Sequence, residues 1–129
     1  MTKINKFELL RNIKNERQKH ILDAASQPLG RLAAAAAGLL RGKHKVNFDY
    51  HLDCGDFVEI INADKLILTG RKLEQKSYHH HTGYPGHLKT VTAKEMLSKD
   101  PTFIVRQAIS GMLPKNKLRV KWLKRLNFK

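Results

Sequence analysis

Three consecutive histidines stand in "SYHHHTGYPGH", residues 77–87, beside Gly83, Pro85 and Gly86. Imidazoles in a row invite a metal reading. In an extended segment, however, alternate side chains leave opposite faces, so at most His79 and His81 share one ion. Zinc takes four ligands, or three and a water, and no cysteine pair or spaced carboxylates stand nearby to complete the set. The expectation is that no metal is held there. Read as a turn, "TGYPG" is coherent: the glycines supply permissive dihedrals and close backbone approach, and Pro85 fixes φ. Histidine, threonine and free backbone N–H groups are donors to phosphate or ribose, the chemistry of a loop that enters folded RNA.

Two other stretches carry chemistry-bearing residues. In "GLLRGKH", Gly38 to His44, the glycines are too close together for a phosphate-binding P-loop, His44 replaces the hydroxyl, and the stretch ends a helix where a P-loop begins one. Gly30 lacks the partner glycines of a dinucleotide fold. Cys54 in "DCGD" lies near His51, but Asp53 and Asp56 beside it disfavour a thiolate, so a small residue in a tight turn is expected and not a nucleophile.

Charge narrows the partner class. The 129 residues hold 25 Lys and Arg against 11 acids, a formal +14, which calls for a polyanion. No apolar run reaches the length of a membrane span, which turns the reading from membrane to nucleic acid. The N-terminal "MTKINKFELLRNIKNERQKH" has no apolar h-region and contains Glu8 and Glu16, unlike a secretory or transit sequence, so a reducing interior is expected. With one cysteine, no intramolecular disulfide forms. From Met112 onward there are seven basic residues and no acid, whereas 49–64 hold five acids. This predicts one domain, a near-neutral core over about 20–112, with a basic arm at 1–19 and a basic helix or tail at 113–129.

These residues need a scaffold to position them. "HILDAA" (20–25) predicts a strand, and "PLGRLAAAAAGLLRG" a helix with Pro28 at its first position, a buried stripe of Leu29, Leu32, Ala33, Ala36, Leu39 and Leu40, and Gly42 as C-cap. "FVEIIN" (57–62) and "KLILTG" (65–70) predict two strands around the turn-prone "NAD". Thr92 and Glu95 have capping-box spacing, and Asp100 before Pro101 caps a second helix with the stripe Ile104, Val105, Ala108, Ile109 and Met112. Leu118, Trp122 and Leu126, spaced by four, predict one basic amphipathic helix at the C-terminal end. Strand and helix in alternation favour an α/β sandwich with a mostly parallel sheet.

"HILDAASQPLGRLA", "LLRGKHK", "DCGDFVEIINADKLILTG", "YHHHTGYPGHLK" and "GMLPKNKL", in this order and spacing, resemble the bacterial-type thirteenth large-subunit ribosomal protein family, from about His20 to Leu118. The resemblance implies a three-layer α/β/α sandwich around a mostly parallel four-stranded sheet, with basic N- and C-terminal extensions. It also implies binding to large-subunit rRNA beside neighbouring ribosomal proteins and a brace-like role early in subunit assembly. It implies no catalysis, cofactor, small-molecule substrate or homo-oligomer. The implied location is the cytoplasmic ribosome, with an organellar ribosome left open. Arg41, Lys43, His44 and Lys45 match the family's basic turn, and His80, His81, Thr82, Gly83 and Gly86 its glycine-rich loop, followed by Lys89. To these rRNA contacts the basic tail adds Lys115, Lys117, Arg119, Lys121, Lys124 and Arg125. The chain departs from the family pattern at His87, where a further glycine is common, at Cys54, where threonine is usual, and at Leu118, Arg119 and Val120. A small RNA- or nucleotide-processing enzyme using His44, His51 or the triplet as acid and base is the alternative. A DNA-binding regulator ranks behind both, for want of a base-reading helix.

Overall fold

A computed structural model describes Asn12 and residues 16–129. The expected arm at 1–19 therefore falls mostly outside the described residues. Strand β1 (Lys19–Asp23) leads into helix α1 (Leu29–Arg41) and then into β2 (Phe57–Ile61), which pairs with β1 in parallel. A 3-10 turn (Ala63–Lys65) follows, with Asn62 in the left-handed region at φ 56° and its amide bonded to Asp23 at 3.0 Å. Asparagine is among the few residues that accept that conformation. The short α2 (Lys72–Gln75) precedes an antiparallel hairpin of β3 (Ser77–His81) and β4 (Leu88–Thr92). Next come α3 (Ala93–Lys99) and α4 (Pro101–Met112), then α5 (Leu118–Leu123) and β5 (Leu126–Phe128).

The fold is α/β, with a parallel sheet ordered β1-β2-β5 and a separate two-stranded hairpin. Val58 and Ile60 of β2 join Leu32, Ala33, Ala36 and Leu40 of α1 and Ile104, Val105 and Ile109 of α4 in one buried cluster. Alanines on α1 let its backbone sit close to its neighbours. On the other face of the sheet, Ile21 and Phe57 are exposed, so among the described residues one face alone is fully covered.

Several local expectations are met by visible chemistry. Gly42 takes φ 79° and its N–H closes α1 on Gly38 and Leu39. Thr92 Oγ1 accepts from the Glu95 N–H, and Asp100 accepts from Thr102 and Phe103 with Pro101 opening α4. "KLILTG" is not a strand. Leu66 and Leu68 do pack on the core, but Ile67 makes only an isolated parallel bridge to Pro28, supported by the Leu29 N–H at 3.2 Å. Proline has no N–H with which to extend a ladder.

The single C-terminal helix is also corrected. Helix α5 ends at Leu123, and Leu126 enters the sheet as the partner of Val58. Trp122 and Leu126 are both buried, so the apolar residues of this basic segment pack into the core.

Candidate nucleic-acid interface

The C-terminal end of α1 meets the "DCGD" loop so tightly that side chains are excluded. A Cβ on Gly55 would stand 1.6 Å from the Leu40 carbonyl oxygen, and one on Gly42 2.7 Å from the Cys54 backbone. Cys54 fills this turn as a buried thiol directed at the Asn47 carbonyl. On either side of it the two aspartates gather cations from distant segments. Asp53 receives Arg17 at 3.1 Å, the Trp122 indole N–H at 3.0 Å and both terminal nitrogens of Arg125 at 2.7 and 2.6 Å. Arg125 also donates to the carbonyls of Asp56 and Leu40, so it caps the helix end while its charge is matched by Asp53.

Asp56, fully buried, accepts the backbone N–H of Gln18 and the Lys45 ammonium on Oδ1, and His20 and His44 Nε2 on Oδ2, each at 2.9 Å. A carboxylate only accepts, so each imidazole donates its Nε2–H. Burial pushes the Asp56 carboxyl upward, yet the bonds from Lys45, His20 and Gln18 outweigh it and bring it down to about 2. Asp53 follows the same logic: burial raises it, and the bonds and charge of Arg125, with Arg17, hold it below the usual range.

The basic turn is thus divided. His44 and Lys45 are turned onto Asp56. Arg41 is half-buried, with its guanidinium 5.7 Å from the Phe48 ring centroid and 6.0 Å from that of Trp122. Lys43 alone of the four is exposed without an ion pair among the described residues.

The hairpin has the opposite character. His80, His81, Thr82, Gly83, Gly86 and Lys89 are all exposed. Gly83 and Gly86 take φ 92° and 74°, as the turn reading requires, with nothing within 4 Å of where a Cβ would stand. Conformation demands glycine there, and internal crowding does not. Thr82 N–H bonds the His87 carbonyl, and His81 Nδ1 accepts the Gly83 N–H at 2.9 Å. Opposite strand partners share a face, so His80 lies beside Lys89 while His79 and His81 lie on the reverse with Thr90 and Leu88. The base is fixed by Tyr78 against Phe103 of α4, ring centroids 5.6 Å apart.

In the tail, Lys115, Lys117, Lys121 and Lys124 are exposed. Arg119 is half-buried and donates to Ser110 of α4. Lys115, Lys117 and Arg119 line one open cavity of about 640 Å³ with Ser110 and Val120. Arg125, expected on the surface, is buried on Asp53, because its side chain closes the helix end. Sequence reading missed Arg17 and the holding role of Asp53 and Asp56. The signal for it was a dense group of acids in a strongly basic chain.

A family model described as ribosomal protein L13 matches residues 17–128, nearly all of the chain. The chain belongs to the ribosomal protein L13 family. It is 47% identical to the large ribosomal subunit protein uL13 of Thermotoga petrophila over 123 residues, which cover 95% of this chain and 83% of the relative. It is 55% identical over 111 residues to the uL13 of Kocuria rhizophila, covering 86% and 76% of the two chains. The uL13 of Clostridioides difficile is 50% identical over 111 residues, 86% and 78%. The L13 match extends past the motif-bearing region at both ends, taking in Arg17, Trp122 and Arg125. The three residues that converge on Asp53 thus lie inside the matched domain.

Proposed function

We propose that this chain is a structural component of the large ribosomal subunit that binds large-subunit rRNA and braces early assembly, without catalysis. What carries the reading is its membership of the L13 family together with the outward-facing glycine hairpin. Exposed Lys43, His80, His81, Thr82, Lys89 and the tail lysines 115, 117, 121 and 124 make the contacts. Arg41, His44 and Lys45 support that surface from beneath, and Arg125 holds the fold. Backbone N–H groups and imidazoles position phosphate and ribose, and shape gives selectivity, as RNA recognition commonly does. Neighbouring proteins of the subunit complete the surroundings in a ribosome. The reading extends to a fourth position beside the three-stranded sheet, supported by the isolated parallel bridge of Ile67 to Pro28.

The test is sedimentation of the tagged full chain in a cell lysate. It should travel with the large subunit and be released as rRNA is digested. Migration as free protein, or turnover of RNA or nucleotides by the purified chain, would overturn the reading.

A further inference from the structure

Beneath the proposed RNA-facing surface, three potential metal ligands converge from three parts of the chain. His20 comes from β1, His44 from the turn after α1 and Asp56 from the residue before β2. Their donor atoms, the two Nε2 and one carboxylate oxygen, all lie within 4.8 Å of one another. Both imidazole nitrogens stand 2.9 Å from the same oxygen, with the two rings nearly perpendicular at 80° and their centroids 5.4 Å apart. The other carboxylate oxygen is held by Lys45 and by the Gln18 N–H, which orients the group and leaves Oδ2 for the histidines. Such outer bonds are what keep a metal-binding carboxylate in place.

We propose that His20, His44 and Asp56 form a zinc-binding site, with a water as fourth ligand. Two imidazoles and one carboxylate suit zinc better than the hard, oxygen-seeking cations. Bonds of about 2.0–2.2 Å in a tetrahedron place donors roughly 3.4 Å apart. The contacts at 2.9 Å therefore need to open by about half an ångström, and the two imidazole nitrogens, within 4.8 Å of each other, to draw together. Asp56 is buried while both histidines are partly exposed, so the ion is reached from the imidazole side, where the water binds. On binding, each neutral imidazole carries its proton on Nδ1 and offers Nε2 to the metal. The Lys45 ammonium, also on Asp56, opposes a second cation and keeps the affinity moderate. The three histidines of the hairpin are separate from this set: His81 Nδ1 accepts the Gly83 N–H, and His79 is bonded to Thr90.

Tag-free full-length protein is titrated with Zn²⁺ by calorimetry and with Co²⁺ by visible absorption. One equivalent is expected, with the strong ligand-field bands of a four-coordinate site. His20→Ala and His44→Ala should each weaken binding tenfold or more, and the double variant His79→Ala with His81→Ala should leave it unchanged. On the unaltered chain, Zn²⁺ should protect His20 and His44 from diethyl pyrocarbonate, mapped by mass spectrometry, while His51 and His80 stay reactive. That arm decides the matter even where a variant fails to fold. No stoichiometric uptake, uptake lost with the hairpin histidines, or protection elsewhere than His20 and His44 would each overturn the proposal.

Discussion

The acid-clamped junction and the glycine hairpin are built from the same residue types and use them in opposite directions. At the junction, glycines permit close packing, and histidine, lysine and arginine turn inward onto Asp53 and Asp56. On the hairpin, glycines permit a left-handed turn in open space, and histidines and Lys89 face solvent. The difference is the presence of a carboxylate. Net charge therefore overstates the number of cations free for a polyanion, and the useful count is of those without an acid beside them.

Removing a carboxylate from the junction should have the largest effect. Asp53→Ala leaves Arg125 buried without its counter-charge and takes partners from Arg17 and Trp122. Loss of one partner of a buried pair costs about 3–5 kcal/mol. Urea denaturation should show a destabilisation of that order. A change below about 1 kcal/mol would break the contrast with the hairpin, because the junction would then be no more than surface charge.

Acid probes the same region more gently. Both aspartates have folded-state values below their unfolded ones, so their contribution is present above about pH 4 and is lost as pH falls toward and through the folded values. For Asp56, a drop from 3.8 to about 2 corresponds to on the order of 2 kcal/mol. Stability should decline between about pH 4 and pH 2, and Asp56→Asn should flatten that decline. A pH profile identical in the variant would count against the clamp.

Much of the scaffold was legible in the sequence because its causes are local. Gly42 after an alanine-rich stripe, Thr92 with Glu95, and Asp100 with Pro101 each announce an element boundary within a few residues, and Gly83 and Gly86 announce their own φ. The misreadings have long-range causes. Leu118, Trp122 and Leu126 fit a helical stripe, and nothing nearby reveals that Leu126 pairs with Val58 instead. "KLILTG" has strand composition, but its neighbour across the bridge is Pro28. Arg125 looks like any cation of a basic tail until the fold brings Asp53 to it from 72 residues away. Of the candidate site, the hairpin half could be read from spacing, and the division of the basic turn could not.

A smaller effect on stability is expected at the hairpin glycines. Gly83→Ala has room for its methyl but must hold φ 92°, a strain on the order of 1–2 kcal/mol confined to an exposed turn. Gly55→Ala meets the Leu40 carbonyl and should disrupt the junction far more. Thermal unfolding of both variants orders the two regions directly. Incorporation into large subunits should fall for Gly83→Ala although its core remains folded. Normal incorporation would remove the hairpin from the proposed interface.

The smallest stability effect, near zero, is expected for the tail lysines, and for them the measurement is binding. Lys115, Lys117, Lys121 and Lys124 are exposed, so Gln at all four keeps side-chain length and removes charge without disturbing the core. Each cation that neutralises a phosphate releases condensed counterions, and log K against log salt falls by about 0.7–0.9 per contact. On large-subunit rRNA fragments the quadruple variant should therefore have a slope shallower by roughly three units. Lys45→Gln supplies the contrast from the junction. Its ammonium sits on Asp56, so the change should lower folding stability while leaving the slope nearly as it was. Were Lys45→Gln to flatten the slope as much per residue as the tail changes do, Lys45 would leave Asp56 for phosphate on binding. The division between inward and outward cations would then hold for the free chain alone.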